Sequence, residues 1–365
     1  MSSGRSNTLV CYVILALYVL ATNWAKPRSL LNSKHMSRVL SLALLCLGGV
    51  AVWVTETGVD MSRYWRAAQV AANRSLPEYV HLFRYEPGFL VFQWLAFKLV
   101  PSFDGFRLIV ALGIWGLTLW ALGLIVRKNQ IAYVFFAYLN FFYFWTFSTN
   151  VIRQGLASGC VLLAMGFFLS GRPWKSLVSS ISAMSFHLSS VVGLGIYVVD
   201  KLNFGTVVAF WGVCAVLFIS GLNGLVSRLF AAVPLPYLAE YSSSSVILRY
   251  GGKINRLDFF LFSVIWLLWG LFSRKYVYTD EKYDFVLKCY MAFNSLFLTF
   301  GFIGFSDRMA GYSWFLIPLL VAYPVLNTTS KYRKPFVLLG FVLVIATSIW
   351  FGVLGTRYLV LGLFY

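Results

Sequence analysis

Charge is scarce in this chain, and negative charge scarcer. Only 12% of its 365 residues are charged, and acidic residues number 12 against 30 basic ones. The remainder is 60% hydrophobic, well above the ~45–50% of soluble domains, which excludes a soluble globular fold. The surplus of +18 charges is scattered over short loops with no basic domain to hold a duplex, which excludes nucleic acid as partner. The five cysteines, Cys11, Cys46, Cys160, Cys214 and Cys289, sit inside apolar runs without a CxxC pair, so neither a disulfide framework nor a zinc site is supported. No cofactor and no metal is expected. Signatures for nucleotide cradling, zinc proteolysis and serine hydrolysis are all missing, so the chain is not expected to consume ATP itself. No internal repeat is visible, which weakens a transporter built from duplicated halves.

What is present is a succession of apolar runs near 8–25, 39–55, 107–126, 131–148, 151–170, 204–222, 257–272, 285–303, 309–326 and 335–353, each near the length that crosses a bilayer. The expected fold is an all-α polytopic membrane protein, a single integral domain over 1–365. It has about ten to twelve transmembrane helices, re-entrant or half-length helices, and two amphipathic outside loops at 56–86 and 223–256. The first run is read as a retained span rather than a cleaved signal, because no small-residue cleavage site follows it. Residues 88–100 are short and carry Gln93 and Lys98, which fits a re-entrant or half-membrane helix. Residues 174–200 read as two short helices meeting at His187, a break that should face an internal site.

The basic residues are segregated. Lys26, Lys34, Lys128, Lys175, Lys201, Lys275, Lys282, Lys331 and Lys334 mark one set of loops, which the positive-inside rule places in the cytoplasm. Arg63, Arg66, Arg74, Arg84, Arg153, Arg228, Arg249, Arg256 and Arg308 fall on the other side, where the same rule disfavours them. Guanidinium is the permanently charged planar fork that grips phosphate oxygens in pairs, so these positions point to a phosphate or pyrophosphate group.

Several of them stand in informative company. Asp60, Arg63 and Tyr64 lie at i, i+3 and i+4, one face of a helix, with a solvated surface as the alternative. Glu86 precedes Pro87 and Gly88 at the mouth of the short helix, as catalytic carboxylate or as helix cap. In STNVIRQG, Ser148, Thr149 or Asn150 can cap a helix from about Val151 that carries Arg153 and Gln154 in its first turn. A cation there has the wrong sign for helix stability and the right sign for an anion site. Asp307 and Arg308 repeat the arrangement. Arg249, Lys253 and Arg256 form one stripe if that stretch is helical, against which Gly251 and Gly252 argue; anionic lipid headgroups are the alternative ligand. His187 is the only histidine inside an apolar segment.

The order GVDMSRYW, EPGF, VIRQGLASG, FHLSS, DRMAGYSWFLIP resembles the EpsG/Wzy-like family of bacterial O-antigen and exopolysaccharide polymerases, over roughly residues 56–325. The resemblance implies a multi-pass protein of the bacterial inner membrane with its active site facing the periplasm. It implies undecaprenyl-pyrophosphate-linked glycans as donor and acceptor, and a polysaccharide chain-length regulator as partner. Carried onto this chain, the family's polar positions are Asp60, Tyr64, Glu86, Arg153, Gln154, His187 and Arg308. The expected chemistry is direct inverting glycosyl transfer in which Arg153, Arg308, Arg249 and Arg256 hold the departing pyrophosphate, with Glu86 or Asp60 as base and His187 third. The rival readings are a flippase or exporter of a lipid-linked saccharide, an O-antigen ligase and, on His187 alone, a membrane O-acyltransferase.

Overall fold

A computed structural model describes residues 33–54, 58–226, 243–249, 254–329, 334–336, 338–340 and 342. The apolar run at 8–25 lies outside them, as do most of the run at 335–353 and of the loop at 223–256. In chain order the described helices are α1 Lys34–Val54, α2 Val59–Gln69, α3 Leu76–Leu82, α4 Pro87–Leu99, α5 Phe103–Ile125, α6 Ile131–Leu139, α7 Phe142–Thr149, α8 Ile152–Leu169 and α9 Pro173–Phe186. They continue with α10 Gly195–Lys201, α11 Phe204–Ile219, α12 Ser244–Arg249, α13 Leu257–Tyr276, α14 Glu281–Thr299, α15 Asp307–Trp314 and α16 Ile317–Asn327. No strand occurs among the described residues. The chain divides into two compact units, one running to Gly193 and resuming at Val321, the other Leu194–Leu320.

Five stretches among the described residues are long and apolar enough to cross a membrane: Lys34–Trp53, Phe103–Ile125, Ile152–Leu169, Leu257–Tyr276 and Asp307–Asn327. The larger number expected from the sequence is not reached among them. Phe204–Ile219 is apolar but has only 16 residues. Glu281–Thr299 carries Glu281, Lys282, Asp284 and Lys288. The run at 131–148 is not one straight helix: α6 and α7 meet at a 74° bend. The bend falls at Asn140, whose amide Nδ2 donates to the carbonyl of Phe136 at 2.8 Å, while the Trp145 indole donates to the carbonyl of Leu139 at 2.5 Å. Carbonyls released by a break at membrane depth need such partners, because hydrocarbon offers none.

In the first unit α8 is the central helix, packed by α5, α7 and α9. Trp115 of α5 donates its indole N–H to Ser148 of α7 at 2.9 Å and meets Trp145 edge-on, with ring centroids 5.7 Å apart. Two glycines permit close approaches between helices. A Cβ at Gly155 would stand 2.6 Å from the carbonyl oxygen of Phe147 and 2.7 Å from Ile114. A Cβ at Gly88 would stand 2.2 Å from the hydroxyl of Ser185 and 2.9 Å from that residue's carbonyl oxygen. These contacts bring the first turn of α8 against α7 and the first turn of α4 against the end of α9.

The segment at 58–86 folds back onto α4. Ser75 and Glu78 start α3 with a capping box, the Ser75 amide donating to the Glu78 carboxylate at 3.0 Å, an arrangement that satisfies otherwise orphaned amides. Gln93, Trp94 and Lys98 of α4 donate to the carbonyls of Tyr64, Arg74 and Ala72.

In the second unit α14 packs with α11, α13 and α15. Arg274 holds Asp284 through two bonds of 2.8 and 3.0 Å. Asn223 and Asn255 exchange amide hydrogen bonds of 2.8 and 2.9 Å.

Gly155→Ala places a methyl against backbone that cannot step aside without parting α7 from α8, so it should lower stability by about 1–3 kcal/mol. Gly116→Ala, where nothing lies within 4 Å, should be neutral or slightly stabilising. Thermal unfolding of the two purified variants in detergent checks the contrast.

Candidate functional site

Proline at the first position of α4 fixes a helical φ for which the missing N–H costs nothing, and leaves Glu86 at the N-cap with extended backbone (φ −64°, ψ 143°). The Glu86 side chain does not cap its own helix. It reaches across to two others. Oε2 accepts from Arg153 Nη1 at 2.6 Å; Oε1 accepts from the Leu188 amide at 3.0 Å and lies 3.1 Å from His187 Nδ1. The alternatives of carboxylate and cap are thereby separated: Glu86 joins the start of α8 to the end of α9.

His187 occupies that position because α9 ends at it. Its amide closes the last turn on the carbonyl of Ala183, its backbone turns extended (φ −158°, ψ 118°), and a 3-10 segment, Leu188–Leu194, follows. The break expected at His187 is there, but the second expected helix does not meet α9 at that residue: the 3-10 segment intervenes, and α10 begins only at Gly195. The side chains of Glu86, Arg153 and His187 are 18%, 20% and 22% exposed, enclosed yet open to a ligand.

Burial alone pushes the Glu86 carboxyl upward. The hydrogen bond from His187, the positive charge of Arg153 and the Leu188 amide outweigh it and hold the carboxyl at a pKa of about 2. An ionised carboxylate can only accept hydrogen bonds, so Nδ1 of His187 is the donor and Nε2 the nitrogen with proton-accepting capacity when the ring is neutral.

Arg153 also donates through Nε to the hydroxyl of Tyr64 at 3.1 Å, and its guanidinium lies 4.8 Å from the ring centre of Tyr85 and 5.7 Å from that of Tyr64. The Tyr64 ring meets Tyr85 and Phe89 edge-on at 5.7 and 5.2 Å. The fork is therefore set in an aromatic collar, and among the described residues its Nη2 has no partner.

The structure thus brings together Glu86, Arg153, His187 and Tyr64. Asp60 joins through its backbone, its amide donating to Asn150 Oδ1 at 3.1 Å. This corrects the expected cap of α8. Val151 is that helix's N-cap and no side chain caps it; Asn150 serves the first turn of α2, and Ser148 and Thr149 bond back to the carbonyls of Phe144 and Trp145. Arg63 is 60% exposed and pairs with Asp60 at 3.4 Å, the solvated-face alternative. Gln154 is buried inside α8.

Arg249, Arg256 and Arg308 belong to the second unit. The stripe of Arg249, Lys253 and Arg256 is not one helix: α12 ends at Arg249, Lys253 lies outside the described residues, and Arg256 precedes α13, after Asn255 in left-handed backbone (φ 45°). Arg256 is paired with Asp258 and lies 4.0 Å from the ring centre of Phe259. Arg308 is in the first turn of α15, 4.7 Å from the ring centre of Phe305. Among the described residues no cluster of three His, Cys, Asp or Glu side chains suited to a metal ion occurs.

The sequence marks Gln93 only as a polar residue in a short helix and not as part of the site; it is fully buried, and its Nε2 donates to the Tyr64 carbonyl at 2.6 Å. The available signal was its spacing of seven from Glu86, two turns along one face of α4. Tyr85 gave no signal beyond adjacency to Glu86.

No curated protein and no solved structure matches this chain. A family model does, over residues 38–360, which include Asp60, Glu86, Arg153, His187 and Arg308. On that match, the chain belongs to the EpsG family.

Proposed function

We propose that this multi-pass membrane protein is a glycosyltransferase that joins undecaprenyl-pyrophosphate-linked repeat units into a polysaccharide, an O-antigen or exopolysaccharide, at the periplasmic face of the inner membrane. The family suggests a polymerase-like role. The observation that carries the chemistry is the Glu86 carboxylate shared between the Arg153 guanidinium and the His187 imidazole.

In this reading the acceptor hydroxyl attacks the anomeric carbon of the donor sugar, and the bond from that carbon to the pyrophosphate oxygen breaks. The electron pair leaves on the pyrophosphate, and single displacement inverts the anomeric configuration. Arg153 stabilises the departing charge through N–H groups that Glu86 and Tyr64 leave unused. The hydroxyl proton goes to Nε2 of His187. The order of bases expected from sequence is reversed, because a carboxylate with a pKa of about 2 is a weak proton acceptor near neutral pH. Glu86 orients the imidazole and the guanidinium instead. Arg256 and Arg308 remain proposed contacts to lipid-linked pyrophosphate, and Asp60 a proposed support of the first turn of α2.

The purified protein in detergent, given a synthetic undecaprenyl-pyrophosphate repeat unit, should build a ladder of products visible by gel or mass spectrometry. No ladder, together with transbilayer movement of the substrate in liposomes, would overturn the polymerase in favour of transport. In the same assay Arg153→Lys keeps the charge but loses the planar fork and should lower kcat/KM roughly 10- to 100-fold; full activity would remove Arg153 from the pyrophosphate.

The depressed pKa of Glu86 also fixes a pH dependence. Its stabilising effect is complete above the unfolded carboxyl value of about 4.3 and fades as pH falls toward about 2, the sign expected when the folded pKa is the lower one. The difference in Tm between wild type and Glu86→Gln should shrink as pH falls below about 4, where His187 is protonated throughout and only the carboxyl titrates. A gap that is the same at pH 3 as at pH 5 would contradict an ionised, bridged Glu86.

A further inference from the structure

The segment between α3 and α4 carries two aromatic rings that the chemistry above does not use as a pair. Phe83 and Tyr85 stack with their planes 6° apart and centroids 6.1 Å apart. Both are half-buried, while Arg84 between them is exposed. Phe83 ends α3 in extended backbone (φ −124°, ψ 146°), the conformation in which alternate residues share a side.

The pair is braced from beneath. Tyr79, with no exposed surface, supports Phe83 at 5.3 Å, and Phe89, equally buried, meets Tyr85 edge-on at 5.8 Å. Tyr85 is also the residue over which the Arg153 guanidinium lies, 4.8 Å from its ring centre. A pair of parallel rings therefore stands beside the proposed anion clamp, with Tyr85 in contact with Arg153.

We propose that Phe83 and Tyr85 form a stacking platform for the sugar bonded directly to the pyrophosphate, a proposal that rests on the reading of Arg153 as the pyrophosphate clamp. A pyranose has an apolar C–H face and a rim of hydroxyls. Such a face lies on a flat aromatic surface at little entropic cost when the rings are already held. The polar groups around them, Glu86, Tyr64 and the exposed Arg84, suit a hydroxyl rim. A polyprenyl tail calls for a longer apolar surface, such as the groove of about 490 Å³ lined by Leu45, Gly49, Val50, Trp53 and Leu112 on α1 and α5. A lipid headgroup calls for charge rather than for paired rings.

Phe83 is the clean probe, because it makes no polar contact with Glu86, Arg153 or His187, whereas Tyr85 touches Arg153. Phe83→Leu keeps apolar bulk and removes the flat face. It should raise KM for the lipid-linked repeat unit roughly tenfold while changing kcat less than about threefold; Phe83→Trp should keep KM within about twofold of wild type. Inhibition by geranyl pyrophosphate, which has the anion and no sugar, should be the same in wild type and Phe83→Leu and weakened in Arg153→Ala. Unchanged inhibition also shows that Phe83→Leu is folded. If geranyl pyrophosphate inhibits through Arg153 and Phe83→Leu leaves KM unchanged, the platform is wrong and the clamp stands. If geranyl pyrophosphate inhibits wild type and Arg153→Ala alike, the clamp fails, and the platform with it.

Discussion

A single carboxylate holds three helices of this protein in register. Glu86 stands at the N-cap of α4 and accepts from Arg153 in the first turn of α8 and from the Leu188 amide, with His187 beside it at the end of α9. Each contact depends on a local device. Pro87 starts α4, Gly88 admits Ser185 to within contact, Gly155 admits α7 to α8, and the extended backbone at His187 ends α9. Move any of these and the guanidinium and the imidazole no longer share one partner.

Such a partly enclosed charge cluster is a weak source of net stability, since desolvation offsets much of the Coulomb attraction. Its value is pre-organisation. Arg153 is fixed by Glu86, by the Tyr64 hydroxyl and by the rings of Tyr64 and Tyr85. Tyr64 is fixed in turn by Gln93 through its backbone. A guanidinium already held in place needs no reorganisation when negative charge develops beside it.

Much of this site was legible as residue types at interruptions of apolar runs. Glu86 before Pro-Gly, Arg153 where a span begins and His187 where one breaks all stand out because polar side chains at membrane depth are costly and few. Their mutual contacts were not legible, because residues 86, 153 and 187 meet across helices and no spacing rule reaches that far. Asn150 illustrates the limit: its position suggested a cap for α8, and its side chain serves α2. The bend at Asn140 hid inside a run of aromatics whose hydropathy reads as one span. The stripe of Arg249, Lys253 and Arg256 assumed a helical period that Asn255 interrupts. The assignment of the base turned on charge partners of Glu86, which only the folded arrangement supplies.

The central claim is that Glu86 and His187 act as one unit, the carboxylate working through the imidazole. A double-mutant cycle on kcat/KM with Glu86→Gln, His187→Ala and the pair measures this directly, scored on product ladders at fixed pH. Strong non-additivity is expected if the two residues do, the double variant losing little more than His187→Ala alone. Losses that multiply, each variant contributing its full effect in the presence of the other, would contradict it.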